Sequence, residues 1–190
     1  MNEELLRWTA YRTVPWKNGG GTTREVAEGA GWRVSVADVA GDGPFSHFPD
    51  TDRVITPVEA EGAAAMLLTV EGIPHRIAPL TPFAFPGDAP THCHLPSGPV
   101  RNLNVMTRRG GASARVRIVD VAAAAGGTEP GCEADEILLL MPVTEGLALV
   151  TPDGRDTPLA RLDCVRHSGP GTVRLRGEGA TAEITITAPS

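Results

Sequence analysis

The chain has 190 residues, of which 41% are hydrophobic, enough for a substantial core and too many for a globally disordered protein. Its formal net charge of −6 argues against a general nucleic-acid or anionic-membrane surface, because both favour a basic face. The first residues lack a basic and apolar leader, and no apolar run approaches the roughly 18 residues of a membrane span. We therefore expect a cytoplasmic protein without nucleic-acid or membrane partners. Its three widely spaced cysteines, Cys93, Cys132 and Cys164, predict buried thiols rather than a disulfide framework.

A glycine-rich segment at residues 15–25 is the most distinctive motif of the chain. Three consecutive glycines, residues 19–21, follow Lys17 and Asn18 and precede Arg24. Backbone without Cβ atoms can turn its N–H groups towards a small anion, and the two cations can supply charge from either side. The alternative is a flexible connection before a strand.

Alternation of apolar and polar residues predicts β-strands along most of the chain. In residues 32–37 it places Trp32, Val34 and Val36 on a packed side and Ser35 on the opposite, wetter side. With 22 glycines and 17 prolines spread along the chain, little room is left for long helices. Further predicted strands are 53–58, 64–70, 73–77, 100–108, 114–121, 137–141, 146–150, 159–166, 172–176 and 182–187.

The region that follows the predicted strand at 32–37 contains a turn and a charged pair. Residues 41–46 are typical of a turn, with Phe45 and Phe48 as apolar anchors beneath it. Asp52 and Arg53 follow, either as a local ion pair that fixes the loop or as a charge in a pocket.

Two histidines, His92 and His94, would share one face of a strand and could begin a metal site, with His75 as a further candidate. A metal needs a third and fourth ligand in a fixed geometry. Because residues 95–99 offer no glutamate, we expect these histidines to be rim or turn residues.

The predicted strand at residues 100–108 places Asn102, Asn104, Met106 and Arg108 on one face. Asparagine is depleted in strands, so two of them on one face need a reason. Lining a small polar pocket is one such reason, because an amide offers donors and an acceptor to a bound carboxylate. Simple solvent exposure of that face is the alternative.

Residues 121–131, rich in alanine and glycine, form the natural join between two lobes. We predict a first lobe over residues 1–120, which can donate strands to the second, a connection at 121–131, and a second lobe over 132–190, in one compact unit. Shifting the chain by 84 positions aligns two Glu-Gly and two Pro-Gly pairs, which fits a duplicated β unit, with chance as the alternative.

Several of these segments together resemble the HutD/Ves family of small cupin-type proteins, whose best-known members accompany histidine-utilisation genes in bacteria. The resemblance covers about residues 5–110 and is carried by residues 15–25, 32–35, 42–46, 48–49, 52–53 and 103–109. Two positions depart from the family pattern: Asp50 stands at a glycine and Arg101 at an aspartate. The resemblance implies an all-β, bicupin-like double-stranded β-barrel or sandwich with two related lobes and little helix.

The resemblance also implies a role around histidine degradation, in which the family binds a product such as formylglutamate or formate. We therefore expect a binding protein without metal or cofactor, monomeric or homodimeric, that holds a small carboxylate and is regulatory or accessory to the pathway. The expected ligand-binding residues are Lys17, Asn18, Arg24, Ser35, Asn102, Asn104 and Arg108, with Arg24 and Asn104 converging on one cavity.

Two alternatives remain open. The first is a metal-dependent cupin enzyme, an oxygenase or isomerase, that uses His92 and His94. The second is an interaction protein in which the glycine-rich segment is a dimer contact. The sequence contains neither a Gly-x-Ser-x-Gly elbow nor a phosphate-binding P-loop, so we expect no catalytic residue.

Overall fold

A computed structural model describes residues 3–16, 19–62, 65–122 and 126–187, and most of them lie in β-strands. Within these ranges the only helix is one 3₁₀ turn, Trp8–Ala10, and none has the length and hydrophobicity needed to cross a membrane. The first ten strands are β1 (Glu3–Leu6), β2 (Arg12–Pro15), β3 (Gly21–Gly29), β4 (Trp32–Val39), β5 (Gly43–Pro44), β6 (Thr51–Glu59), β7 (Met66–Val70), β8 (Ile73–Ile77), β9 (Phe83–Pro86) and β10 (Thr91–His94). The remaining strands are β11 (Val100–Arg108), β12 (Ser113–Val121), β13 (Gly131–Cys132), β14 (Glu136–Pro142), β15 (Leu147–Val150), β16 (Asp156–Pro158), β17 (Cys164–Ser168), β18 (Gly171–Thr172), β19 (Arg174–Gly177) and β20 (Gly179–Thr187).

The chain divides into two compact units, and the first to be described covers residues 12–114. It contains a six-stranded sheet in the order β2-β3-β4-β11-β6-β9 and a four-stranded sheet in the order β5-β10-β7-β8. The strand pairs are antiparallel. Its core includes the fully buried side chains of Ile55, Met66, Leu68, Ile77 and Cys93.

Pairing between β4 and β11 fixes which side chains face together in this unit. Asn104 lies directly opposite Ser35 in the antiparallel register. Because neighbours along a strand point to opposite sides, Trp32, Val34 and Val36 lie on the other side of the sheet from Ser35. The prediction that these three are packed is confirmed, with exposed fractions of 5%, 0% and 0%.

The second unit covers residues 1–11 and 115–190. It contains a five-stranded sheet in the order β1-β17-β14-β20-β12, a three-stranded sheet in the order β16-β15-β19, and the pair β13-β18. Its core is aliphatic and includes Leu138, Leu140, Val165, Val173 and Leu175, all fully buried. The lobe boundaries predicted from the sequence stay a prediction.

The all-β class is confirmed, but the strands of the described residues form separate sheets rather than one closed barrel. The strand predicted at 159–166 is wrong over residues 159–163, where Asp163 organises a turn, and is confirmed over residues 164–166, which begin β17. The Asp163 carboxylate accepts hydrogen bonds from the backbone N–H groups of Trp8 and Ala160 and from the Arg7 guanidinium, at 2.8, 3.0 and 2.7 Å. These bonds favour a turn over a continuous ladder.

The three cysteines are free and buried, as the sequence predicts. Burial raises the pKa of the Cys93 thiol to about 12 and also raises the pKa values of Cys132 and Cys164. Because the thiolate is the reactive form, we expect a thiol reagent to label none of the three in the native protein and all three after denaturation. Rapid labelling of the native protein would contradict this burial.

Candidate ligand cavity

A cavity of about 500 Å³ opens within the unit formed by residues 12–114. One wall is the polar side of the six-stranded sheet, with Ser35, Asn102 and Asn104. The lining also includes Phe45 and Phe48, which follow β5. The cavity therefore joins the amide face predicted for β11 to the aromatic turn predicted before β6.

Arg53, on β6, is the principal charge in this cavity. It is only 7% exposed, and its Nε and Nη2 atoms donate to Oδ1 of Asn104 at 3.3 and 3.1 Å. Its guanidinium carbon lies 5.2, 5.3 and 5.0 Å from the ring centroids of Phe45, Phe48 and Phe85, within the range of cation–π contacts. Among the described residues no carboxylate forms an ion pair with Arg53; Asp52, its sequence neighbour, pairs with Arg109 instead.

Burial and a second cation lower the pKa of Arg53. Desolvation by the surrounding rings disfavours the charged form, and the nearby guanidinium of Arg33 adds repulsion, so that the pKa falls to about 10. Arg53 is still protonated at neutral pH. It is a buried cation whose nearest acceptor is a neutral amide.

The amides behind Arg53 complete the polar wall. Asn104, which accepts from Arg53, places its Nδ2 at 3.5 Å from Oγ of Ser35, at the limit of a hydrogen bond. Asn102 is 2% exposed, and its Oδ1 is buried without a hydrogen-bond partner in the described part of the chain. An unsatisfied buried amide beside a cavity marks a place where a ligand could add bonds.

Arg33, on β4, also lines the cavity. Its Nη2 donates to Sδ of Met106 at 3.3 Å, a weak acceptor, and its guanidinium carbon lies 5.9 Å from the Phe48 ring centroid. Arg33 and Arg53 are therefore neighbours of the same aromatic ring.

Trp16 and Thr23 form part of the cavity lining beside the glycine-rich segment. The Trp16 indole Nε1 donates to Oγ1 of Thr23 at 2.7 Å. Gly21 begins β3, where an added Cβ would lie 2.2 Å from the Asp38 carbonyl oxygen and 3.3 Å from the Trp16 ring. The close approach of β3 to β4 therefore requires a glycine at this position.

The expected convergence of Arg24 and Asn104 is corrected by the structure. Arg24 lies opposite Val36 in the register, whereas Asn104 lies opposite Ser35, so the two point to opposite sides of the sheet. The Arg24 guanidinium pairs with Asp38 and is not part of the cavity lining.

The other expected binding residues divide into three groups. Ser35, Asn102 and Asn104 line the cavity together. Arg108 does not; it is exposed at the end of β11 and borders a separate shallow depression. Lys17 and Asn18 lie outside the described residues, so their part in binding stays a prediction.

The structure shows the conformation of Asp50 and the ion pairs of Arg101, the two residues that depart from the family pattern. Asp50 has a φ of 53°, a left-handed conformation that favours glycine and that aspartate tolerates better than most residues. Arg101 shares Asp38 with Arg24 and also pairs with Glu59, at 2.6 and 2.8 Å respectively. Burial raises the pKa of Asp38, but the hydrogen bonds and charges of Arg101 and Arg24 outweigh it, so that this pKa is lowered. Arg101 does not line the cavity.

The histidine pair does not form a metal site in the described residues. His92 and His94 are exposed on β10, while the alternate residues Thr91 and Cys93 are buried. His94 Nδ1 lies 2.5 Å from the Asp42 carboxylate, and no group of three potential ligands occurs in the ranges that the structure describes. The donor set therefore does not fit a mononuclear metal.

We accordingly expect that purified protein binds no stoichiometric transition metal and that the double variant His92→Ala/His94→Ala leaves metal content unchanged. Elemental analysis after dialysis checks this, with wild type and variant prepared in parallel. One equivalent of metal in the wild type, lost in the variant, would contradict it.

The sequence pattern identifies only one of the two arginines that line the cavity, and that one only as an alternative. It offers Arg53 either as part of a local ion pair or as a charge in a pocket, and it gives Arg33 no role. Alternation from Ser35 and from Ile55, a core residue, could have placed both arginines on the inner side. Which residues line the cavity depends on the register between neighbouring strands, and alternation along a single strand does not determine that register.

Comparison with known proteins places the chain in a family. The HutD family model matches residues 8–186. An uncharacterised 21.2 kDa protein from the hutC 3′ region of Pseudomonas putida is 34% identical over 175 residues, covering 87% of each chain. Protein Ves of Citrobacter koseri is 40% identical over 112 residues, covering 55% of this chain and 58% of its own.

Solved structures agree with this assignment. HutD from Pseudomonas fluorescens SBW25, determined in a formate condition, superposes with a TM-score of 0.81 at 31% identity, covering 99% of this chain and all of the other. A cupin 2 conserved barrel protein from Leptotrichia buccalis superposes with a TM-score of 0.63 at 7% identity, which shows a cupin-like fold and nothing further. On the sequence match and the structural likeness together, the chain belongs to the HutD family.

Proposed function

We propose that this protein binds a small carboxylate in the cavity around Arg53, without chemistry on the ligand. The single observation that carries the proposal is an arginine that is only 7% exposed and has no carboxylate partner among the described residues. Burying an unpaired charge is costly unless something compensates it, and a carboxylate is the natural bidentate partner of arginine. Asn104 and Ser35 can support the bound anion, and the phenyl rings exclude water from it.

Formate and formylglutamate are the first candidate ligands, and the proposed role is regulatory or accessory to histidine degradation. The family assignment supports this, as do the hutC neighbourhood of the Pseudomonas putida relative and the formate condition of the Pseudomonas fluorescens structure. Two related cupin lobes and a cytoplasmic location belong to the same proposal.

Titration calorimetry with formate, formylglutamate and formamide tests the proposal. Formamide matches formate closely in size but carries no charge. We expect both acids to bind and formamide not to bind, because charge-assisted bonds to Arg53 supply most of the affinity. The proposal fails if neither acid binds, or if formamide binds as tightly as formate.

The affinity should depend on pH through Arg53. Because the pKa of Arg53 is lowered to about 10, the guanidinium keeps its proton from pH 6 to about 9 and loses it as the pH rises through about 10. We expect a constant dissociation constant up to about pH 9 and weaker binding above it. A histidine anchor would instead lose its charge near pH 6.5, so a decline between about pH 6 and 7 would contradict Arg53 as the anchor.

A further inference from the structure

The second unit contains a cleft between two strands that each end a sheet. β1 is the outermost strand of the five-stranded sheet, and β16 is the outermost strand of the three-stranded sheet. The cleft has a volume of about 850 Å³ and is lined by residues of both strands, of β15 and of the turn between β15 and β16. Arg7, directly after β1, donates to the carbonyl oxygen of Pro158, the last residue of β16, at 3.0 Å. The two strands are therefore joined at that end, whereas each begins with an acidic residue, Glu3 or Asp156.

The buried part of the lining of this β1–β16 cleft is apolar, and the exposed part is mainly acidic. Leu149 belongs to the hydrophobic core of the unit, and Leu5 packs against that core. The charged lining residues are three carboxylates and one guanidinium, namely Glu3, Asp153, Asp156 and Arg155. The cleft therefore offers an apolar surface beside an excess of negative charge.

Glu3 is the carboxylate of the cleft without a cation. Asp153 accepts from Nε of Arg155 at 2.6 Å, and Asp156 pairs with Arg176 at 3.2 Å. Glu4, the next residue of β1, lies 3.9 Å from Arg166, whereas Glu3 forms no ion pair within the described ranges. A cation brought by a partner would thus meet an unpaired carboxylate at the start of β1.

The free edge of β1 is better suited to strand pairing than that of β16. Each strand has one ladder partner in the described part of the chain, so the backbone groups on its other side face no strand. β16 ends at Pro158, which lacks an N–H group and makes a poor template for a further strand. β1 contains no proline, and its two glutamates disfavour pairing with β1 of a second copy. This edge therefore favours a partner strand of opposite charge.

We propose that the β1–β16 cleft docks an extended basic segment of another protein, which adds a strand to the free edge of β1. The main chain of the segment hydrogen-bonds to β1, its lysine or arginine side chains reach the carboxylates, and its apolar side chains cover Leu5 and Leu149. A small free amine would neutralise a carboxylate but leave both the strand edge and the leucines uncovered. The proposal is independent of carboxylate binding, which concerns the unit of residues 12–114.

Titration of isotope-labelled protein with the blocked peptide Lys-Val-Lys-Val-Lys, followed by NMR, tests the docking. We expect saturable binding with a dissociation constant on the order of 0.1 mM, and shifts of the amide signals of β1 and of the turn between β15 and β16. Glu-Val-Glu-Val-Glu should bind at least about tenfold more weakly. Because alternate N–H groups of a strand point to opposite edges, methylating either the valine or the lysine nitrogens blocks one edge. One methylated peptide should bind as the parent does, and the other at least about tenfold more weakly.

Glu3→Lys and Glu4→Lys are matched variants for the same titration. They make the same change of charge at neighbouring residues, but only Glu3 lines the cleft. In about 0.15 M salt, where exposed charges are screened over about 8 Å, Glu3→Lys should weaken binding of the basic peptide about tenfold or more. Glu4→Lys should stay within about threefold of the wild type. A thermal unfolding curve establishes that each variant is folded before titration.

Four results would overturn strand docking. They are equal weakening by the two variants, an equal effect of the two methylations, binding of butylamine as tight as that of the basic peptide, and no binding of the peptide at millimolar concentration. The third would make the cleft a site for small cations instead. Each of them leaves carboxylate binding at Arg53 as it stands.

Discussion

Arg53→Met is expected to weaken carboxylate binding by about 100-fold or more while leaving the protein folded. Removing one partner of a buried, hydrogen-bonded charge pair costs roughly 2–5 kcal/mol, and 2.7 kcal/mol corresponds to about 100-fold in affinity. Methionine is chosen because it is unbranched and can fill the space between the phenyl rings. Calorimetry with formate and formylglutamate measures the loss.

The same variant should not be less stable than the wild type in the absence of ligand. Arg53 is buried and its pKa is lowered to about 10, so keeping it protonated at neutral pH reduces the stability of the folded state. Replacing it relieves that cost, although Oδ1 of Asn104 then loses its donors. We expect a net gain on the order of 1 kcal/mol, or an unfolding temperature about 2–4 °C higher.

Arg109→Met is the matched control for both measurements. Arg109 is a partly exposed arginine that pairs with Asp52 and Asp88 and does not line the cavity. This substitution should leave carboxylate affinity unchanged and should not raise the unfolding temperature. Carboxylate binding by Arg53→Met within about threefold of wild type would remove Arg53 from the site.

Gly21→Ala is expected to lower the stability of the protein substantially. The added Cβ would lie 2.2 Å from the Asp38 carbonyl oxygen, a backbone atom that can move only if β3 and β4 separate. Overpacking and a disturbed ladder together should cost about 3 kcal/mol or more, roughly 6–12 °C in unfolding temperature. Trp16, whose ring lies 3.3 Å from the same point, would shift as well, so ligand affinity should also fall.

Gly41→Ala controls for the general effect of replacing a glycine. An added Cβ at Gly41 meets no atom within 4 Å, so the change should alter stability by no more than about 0.5 kcal/mol. Differential scanning calorimetry compares the two variants. Equal stability of Gly21→Ala and wild type would show that β3 does not need to approach β4 so closely.

Local pattern predicted the strands well because alternation is a property of single segments. Residues 73–77 and 100–108 were predicted with the bounds that the structure gives them, and residues 53–58 and 114–121 lie within longer strands. The faces of Ser35, Asn102 and Asn104 also follow from alternation alone. The error at 159–166 has a different origin, because Asp163 bonds to residues about 150 positions away in sequence.

The cavity could be predicted only in part, because its composition depends on register between strands. Nothing in residues 21–29 indicates that Arg24 lies opposite Val36 rather than opposite Ser35, and that one-residue difference moves its charge to the other side of the sheet. The surroundings of Arg53 depend on tertiary packing instead of register. Its position beside three phenyl rings follows from the packing of β9 and the segment after β5, which no local pattern reports.

If the proposed carboxylate binds there, the charge of Arg53, which has no ion pair among the described residues, would also link the lifetime of the protein to the supply of its ligand. An anion that neutralises Arg53 binds the folded chain and not the unfolded one, so each tenfold excess over the dissociation constant adds about 1.4 kcal/mol of resistance to unfolding. Proteases that act on unfolded chains would then remove the empty form in preference to the occupied form. The abundance of the protein in the cell would thereby follow the concentration of the acid that it holds.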